Sequence, residues 1–568
     1  MIKRYFLTLM VFSVFISSLN AQSICIDGKF NDWNGVTTNT DAANDGNGVD
    51  MRGFSVANDA ENLYIRLITN TDINIGDSIN LYMNIDADNN TSTGFYSNGI
   101  GADVAWRCGY GYGFYYHDGT KDTIYASQLG IAGLTTYKND TFEIAISRAA
   151  QVGNPVKNLF IGNSVKINFV NGLSGGDYMP NFNSTYTYTF SNQLTSDFAP
   201  MELAKCNANY IRVMSYNVEF DGLIDAARTN QFKRVFQAIN PDIIVLNECG
   251  STSYTLAKAK LDSWLPLGTA NGWVCYKVDG GNIICSKYPV SYATNINPSR
   301  KATVAYIDLP ATYQTNLLVI GTHLMYFSDG DSTRQREADI ISAYLRDMKA
   351  GTTAYKIPAN TPFFIAGDFN MVNNYSPLNT MLTGNIVHTE TYGTGSAPDW
   401  NGGQLSSENA KVADKNMTYT WRPNDVGGRR WPGKLDYILH SNTNLEIKKS
   451  FVLQSEIMSQ ARLTQYGLLA SDSYIASDHL PIVADLQIPT SNSLLFTVQW
   501  NGKVNTAWEN PANWDCSTVP DKYSNVVIPA NVPNYPYVNY NTEIHSLTLN
   551  NGSTVNVKPT VKLLVNGQ

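Results

Sequence analysis

Several short stretches of the chain combine acids, amides and histidines in a way that suits hydrolysis. One is Gly367-Asp-Phe-Asn370, which follows the apolar run from Phe363 to Ala366. Such a run, bounded by Pro362 and Gly367, reads as a strand buried on both faces. Asp368 and Asn370 are two residues apart and point the same way if the chain stays extended. Alone, a Gly-Asp-x-Asn stretch is equally an ordinary polar turn. Other stretches share its design. The run from Ile243 to Leu246 leads into Asn247-Glu248, and that from Leu317 to Ile320 leads into Gly321-Thr-His323. Ile211 to Asn217 ends in an amide with Glu219 two residues on. Asp436 lies inside the run from Leu435 to Leu439, and Ser477-Asp-His479 precedes Leu480 to Ala484. Acids inside or against apolar strands are costly unless paired or bound to a metal. Polar groups gathered at the ends of several strands are the expected form of an α/β active site.

In this order, Asn217, Glu248, Gly321-Thr-His323, Gly367-Asp-Phe-Asn370, Leu435-Asp-Tyr437 and Ser477-Asp-His479 resemble the motif series of the endonuclease/exonuclease/phosphatase superfamily. That superfamily includes DNase I-like nucleases, inositol-phosphate phosphatases and neutral sphingomyelinases. The match spans residues 209–488 and implies a DNase I-like α/β four-layer sandwich that works with Mg²⁺, or Mn²⁺ in its place. By resemblance, Glu248 is the primary metal ligand, with Asn217 beside it as ligand or orienter. Glu219 takes the place of a second acidic ligand, and Asp478 points to the metal. Asp368 is the base for the attacking water, and Asn370 positions the phosphate. His479 donates to a non-bridging oxygen while Asp436 holds its other ring nitrogen. His323 contacts phosphate or assists the leaving group. The place of the inositol phosphatases' Trp-Cys-Asp-Arg motif reads Gly433-Lys-Leu-Asp436, which departs from that branch.

The elements that must position these residues are legible from periodicity. Phe232, Val235, Phe236 and Ile239 share one face of a helix over residues 229–239, and Asn240-Pro241 ends it. A second helix is expected over 332–349, capped by Asp331 or Ser332, with Ile340, Ile341, Tyr344, Leu345 and Met348 as its buried stripe. Helix followed by strand is the connection that parallel pairing needs. The polar stretch 374–416 has no clear period and is expected to shape the cleft. Arg334, Arg336, Arg429, Arg430 and Lys434 are candidates to hold substrate phosphate, and Trp421 or Trp431 to stack on a base. Solvated charges on a helix and an exposed hairpin are the plainer readings of the same residues.

The chain has 568 residues, a formal net charge of −8 and 34 tyrosines. That length implies two to four domains, and that charge gives no whole-protein basic field, although a local patch would suffice for nucleic acid. Residues 1–21 read as a secretory signal: Lys3 and Arg4, an apolar stretch too short for a normal span, then a small-residue cleavage region. No later stretch is apolar enough to cross a bilayer. The expected product is secreted or cell-surface. Seven cysteines, an odd number, leave at least one thiol unpaired within the chain. Cys275 and Cys285 flank Asp279-Gly-Gly-Asn282, a hairpin signal, and could pair across it.

Residues 22–195 read as an all-β sandwich of alternating strands. Their opening and the loop from Asn84 to Gly94 resemble family 9-like carbohydrate-binding modules, which implies a glycan or cell-surface ligand. Asp86, Asp88 and Asn90 alternate as Ca²⁺ ligands do, and as residues of a solvated turn also do. Trp106, Tyr110, Tyr112, Tyr115 and Tyr116 could stack on sugars or alternate between core and surface of one strand. After the catalytic span, residues 495–568 form a short C-terminal β segment resembling the start of a β-solenoid. The expected activity is metal-dependent phosphodiester hydrolysis, foremost endonucleolytic cleavage of DNA. A sphingomyelinase-like or other phosphoesterase of the same fold is the alternative, followed by a non-catalytic surface-binding protein.

Overall fold

The computed structural model describes residues 23–77, 79–191, 198–277, 280–296, 302–423, 431–489 and 495–567. The expected signal at 1–21 lies outside them, as do Arg429 and Arg430.

The N-terminal part is built on two antiparallel sheets, one five-stranded and one seven-stranded, with two short two-stranded pairs beside them among the described residues. Phe54, Ile65, Leu67, Phe142 and Ile144 of the first sheet meet Met83, Ile85, Trp106, Ile167 and Phe169 of the second in one core. The aromatic run follows the core-and-surface alternation: Trp106 and Tyr115 are buried, whereas Tyr112 and Tyr116 are half-buried on the other face.

The central part is four layers. One sheet is ordered Val274–Tyr276, Ile283–Ser286, Ile243–Asn247, Ile211–Asn217, Ile482–Gln487, Glu446–Val452, Lys411–Val412. The other runs Val290–Asn295, Ala302–Ile307, Leu317–His323, Phe363–Asp368, Asp436–His440, Ser406–Ser407. Val213, Ile243 and Val245 face Val319, Phe364, Ala366 and Ile438 between the sheets. The helices Thr229–Ile239 and Tyr254–Trp264 cover the outside of the first sheet through Phe232, Val235, Phe236 and Leu261. The helices Asp331–Ala350 and Ser376–Thr383 cover the second through Ile341, Leu345, Met348 and Leu378. Three pairs of this central part are parallel among the described residues: Lys411–Val412 with Glu446–Val452, and Ile211–Asn217 with Ile243–Asn247 and Leu317–His323 with Phe363–Asp368, the last two each joined by a helical crossover. Asp331 opens its helix inside the first turn, and Gly330 stands at the cap without a side-chain bond, so neither expected cap forms. The stretch 374–416 is more ordered than its composition suggests, with the helices Ser376–Thr383 and Thr389–Tyr392 and two short strands. Cys275 and Cys285 are cross-strand partners joined by a disulfide.

The C-terminal strands pair in parallel, as successive turns of a coil do: Phe496–Gln499, Ser524–Ile528 and Ser546–Leu549 in one row, and Thr542–Ile544 with Leu563–Val565 in another. The N-terminal sandwich and the central domain are not merely linked. Ile24, Ile26, Trp33 and Leu134 enter the same core as Val213, Phe364 and Met417, and the Thr418 amide donates to the Ile26 carbonyl at 2.9 Å.

Arg212 and Asp485 are cross-strand partners and almost fully buried, joined by two bonds of 2.7 and 2.8 Å. Breaking a buried pair on one side leaves a charge without compensation. Asp485→Ala is expected to destabilise the protein by about 3–5 kcal/mol, read as a lowered urea midpoint; a midpoint near wild type would show that Arg212 finds another partner.

Candidate functional site

The chemistry-bearing residues stand at one end of the two facing sheets. Asn217, His323 and Asp368 are the last residues of their strands, and Glu248 follows Ile243–Asn247 directly. Asp436 begins an antiparallel strand and His479 precedes another, so both reach the same end. The chain turns sharply to aim them: Glu248 and Asn370 lie in the left-handed region, with φ of 59° and 50°. Such backbone is costly for non-glycine residues and concentrates at functional sites. Gly367 has φ of 147°, and a Cβ there would lie 1.7 Å from the Thr322 carbonyl oxygen, so only glycine lets these strands pair closely.

At the centre is Asp368. Its Oδ2 accepts from Asn217 Nδ2 at 3.1 Å and from Asn370 Nδ2 at 3.1 Å, and its Oδ1 accepts from the Asn370 amide at 2.9 Å. His323 Nε2 and His479 Nε2 lie 3.5 and 3.6 Å from Oδ2. The other nitrogen of His479, Nδ1, is 2.8 Å from Asp436 Oδ2. Asn217 also donates to Glu248 Oε1 at 3.0 Å, and the Phe220 amide donates to Oε2 at 2.9 Å. The structure therefore joins Asn217, Glu248, His323, Asp368, Asn370, Asp436 and His479 in one cluster.

Burial pushes the Asp368 carboxyl up to about 7, with Asp436 adding to the rise and His479 opposing it. Burial acts on Glu248 in the same direction, but the Asn217 and Phe220 bonds together with the His323 and His479 imidazoles outweigh it and hold this carboxyl below its usual value. Burial alone would lower His479; the Asp436 and Asp368 carboxylates win and hold it well above the ordinary imidazole value. The site thus sets a buried carboxyl beside an imidazole whose charged form is favoured, both raised above their usual values.

The donor set fits a hard divalent cation. Ligand atoms of Glu248, His323 and Asp368 lie within 4.8 Å of one another, and neither carboxylate has a lysine or arginine partner in the cluster. Glu248 would hold such an ion, with Asp368 beside it and Asn217 orienting both carboxylates.

Other expected residues are placed differently. Glu219 is not in this ligand group, and its Oε2 pairs with Arg228 Nη1 at 3.3 Å. Asp478 accepts the Trp421 indole N–H at 2.9 Å, which fixes that half-buried ring at the site's edge. Trp431 is buried against the N-terminal sandwich, its plane within 5° of Trp106. Arg334 does not face substrate: it is fully buried, donating to the Met325 and Phe327 carbonyls at 2.6 and 2.7 Å and pairing with Asp331. Lys434 is spent on the Glu408 carbonyl at 2.9 Å and Asn409 Oδ1 at 3.1 Å. Arg336 is exposed on its helix and makes no hydrogen bond to the described site residues. In the sandwich, Asp86 and Asp88 converge with Asp103, and Asn90 Oδ1 accepts the Ser92 amide at 3.1 Å.

Supporting residues escaped the sequence reading. Asn247 Oδ1 accepts the Asp368 amide while its Nδ2 donates to Thr322 O, linking the two sheets. Thr420 Oγ1 accepts the Leu435 and Asp436 amides, both at 2.9 Å, and Ser477 Oγ donates to Asn217 O. Asn247 had a signal, a polar residue directly before Glu248; Thr420 had none, its partners being distant in the chain.

Because Asp436 and His479 form one hydrogen-bonded unit, their losses should not multiply. Asp436→Asn, His479→Ala and the double variant are expected to show similar kcat/KM deficits; independent, multiplying deficits would contradict the geometry.

Residues 214–479 match the model of the Endonuclease/Exonuclease/phosphatase family, and residues 499–568 match a domain of unknown function (DUF8693). No curated protein matches the chain. Among solved structures, truncated TDP2 of Caenorhabditis elegans is 16% identical, with 50% of this chain and 99% of that one covered and a TM-score of 0.33. An endonuclease/exonuclease/phosphatase from Bacteroides vulgatus is 17% identical, with 49% and 99% covered and a TM-score of 0.34. Beta toxin from Staphylococcus aureus is 17% identical, with 48% and 99% covered and a TM-score of 0.30. The motifs gathered at one end of the two facing sheets, from Asn217 to His479, all fall within residues 214–479, the span that matches the model of the endonuclease/exonuclease/phosphatase family.

Proposed function

We propose that the protein is an exported, Mg²⁺-dependent phosphodiesterase that cleaves DNA. The observation that carries this reading is the convergence of Glu248, His323, Asp368 and the Asp436–His479 pair on one cluster. A bound Mg²⁺ supplies charge neutralisation at the phosphoryl oxygens. Asp368, raised towards neutrality, takes a proton from the attacking water as the new P–O bond forms. The His479 imidazolium donates to a non-bridging oxygen, and Asp436 keeps that ring oriented. As the ester P–O bond breaks, the departing oxygen takes up a proton, which His323 supplies. Asn370 anchors Asp368 through both its amides.

One specific feature suits the lipid-directed alternative as well as an unpaired DNA strand. Phe220, beside Glu248, is 82% exposed, and Tyr326 and Phe327, just beyond His323, are 46% and 61% exposed. Arg334 and Lys434 are meanwhile committed inside the protein. Exposed aromatics at a site's edge stack on unpaired bases or enter a lipid surface. Supercoiled plasmid, a single-stranded oligonucleotide and sphingomyelin vesicles, each with Mg²⁺ and with EDTA, separate the readings. Cleavage of DNA that EDTA abolishes is expected, with Asp368→Asn lowering it about 10²–10⁴-fold. Phe220→Ala with Phe327→Ala should raise KM for the oligonucleotide and spare bis(p-nitrophenyl) phosphate. Sphingomyelin turnover with untouched DNA would replace the nuclease reading, and activity undiminished in EDTA would remove the metal.

The acid–base state of the site predicts how the ion binds. With Asp368 near 7, a proton occupies it at lower pH and must leave when a cation arrives. Mg²⁺ affinity should therefore rise with pH through about 7 and level off above it. Calorimetry across pH should show this in the wild type and a flatter profile in Asp368→Asn; equal pH dependence in both would place the titrating group elsewhere.

A further inference from the structure

We propose that Thr136, in the N-terminal sandwich, is a positioning residue of the hydrolytic site, stapling together the segments that carry Asp368 and Asp436. The inference rests on the phosphoesterase reading for its kinetic consequences, and on the geometry alone for the staple itself.

Asp368 and Asp436 are Cα partners at the last register pair between Phe363–Asp368 and Asp436–His440. One further bond, from the Phe369 amide to the Leu435 carbonyl at 2.9 Å, holds the strands together. Beyond it they diverge. At the point of divergence Thr136 Oγ1 lies 2.6 Å from the Met371 carbonyl oxygen and 3.1 Å from that of Lys434. A threonine hydroxyl has one proton, which here bridges two carbonyls from different segments. The contact is one of a series. Asn74 Nδ2 donates to Val372 O at 2.8 Å, the Lys138 amide donates to Asn373 O at 2.7 Å, and the Gly133 amide donates to Pro432 O at 3.2 Å. Gly433 has no room for a side chain, since a Cβ would sit 2.4 Å from Thr136 Cγ2. Residues 133–138 therefore run between the two segments, with Thr136 touching both.

The consequence reaches the chemistry through the main chain. Asp436 orients His479, and the Leu435 and Asp436 amides are held on one side by Thr420. Thr136 holds the preceding carbonyl and, through Met371, the residue next to Asn370. Removing the hydroxyl takes the 2.6 Å donor from the Met371 carbonyl and leaves the Lys434 carbonyl with the longer 3.5 Å bond from the Tyr437 hydroxyl, which lets the carboxylates move apart. Thr136 touches no reacting group, so the loss should fall on kcat.

The test uses the full chain with Thr136→Val, which keeps the shape, and Thr136→Ser, which keeps the hydroxyl. Steady-state hydrolysis of bis(p-nitrophenyl) phosphate with Mg²⁺ is measured beside amide hydrogen exchange in residues 369–374 and 432–437 and the thermal midpoint. Thr136→Val is expected to lower kcat about 10- to 100-fold with KM little changed, the range usual for residues that orient active-site ligands. It should also speed exchange in both segments, and Thr136→Ser should restore most of both. Added to Asp436→Asn, Thr136→Val should cost little more. Wild-type kcat in Thr136→Val, equal impairment by Val and Ser, or a loss that follows the folded fraction would overturn the proposal. If the wild type hydrolyses no phosphoester, the activity reading falls and exchange alone decides: faster exchange in Val but not in Ser upholds the staple, and unchanged exchange removes it.

Discussion

The constraint on which the rest depends is the burial of the Asp368 carboxylate. It is 1% exposed at the end of a central strand, where an isolated charge would be prohibitive. Three amide groups, from Asn217 and Asn370, meet its two oxygens, and two imidazoles stand within 3.6 Å. Those partners come from strands of both sheets, so satisfying this one group requires the sheets to face each other in register. Asn247, reaching from the first sheet to the Asp368 amide, shows the coupling directly. The dry surroundings that make the acid costly also strengthen its action on a proton or a cation.

From that constraint the legibility of the sequence can be understood. The strand ends were readable because a buried strand writes itself as an apolar run, and an acid or amide at its end breaks the run conspicuously. Residue type at Glu248, Asp368, Asp436 and His479 then carried most of the chemistry. Arg334 and Lys434 were misread for a physical reason: a long side chain declares its charge but not where its flexible stem will deliver it. Arg334 folds inward onto the Met325 and Phe327 carbonyls, and Lys434 onto Glu408 and Asn409. Glu219 failed similarly, because its partner Arg228 is set by the loop that follows rather than by the motif. Thr136 and Thr420 carry no local pattern at all; each matters only through carbonyls or amides that folding brings to it.

The boundary between sandwich and central domain shows the same limit at larger scale. Composition separates residues 22–195 from 208–488, and each part has its own sheets. Yet Ile24, Ile26, Trp33 and Leu134 lie in the inter-sheet core of the central domain. A fully buried aliphatic side chain is worth about 1.5–3 kcal/mol, so several such residues bind the parts more firmly than a linker would suggest. The sandwich is accordingly part of the frame that holds the loops after Asp368 and before Asp436, whatever else its outer surface contacts.

The distribution of charge bears on how substrate is gripped. A protein of net charge −8, with Arg334 and Lys434 turned inward, gains little from long-range attraction by those two residues. What it presents at the site's edge is short-ranged: the imidazolium of His479, the cation-binding carboxylates, and the exposed rings of Phe220, Tyr326 and Phe327. Short-ranged groups act on the few atoms they touch. They suit a substrate engaged through one phosphate and its immediate neighbours, such as an unpaired strand whose bases reach the rings. A duplex held through many phosphates would need cations facing it along its length, and the described residues place Arg334 and Lys434 elsewhere.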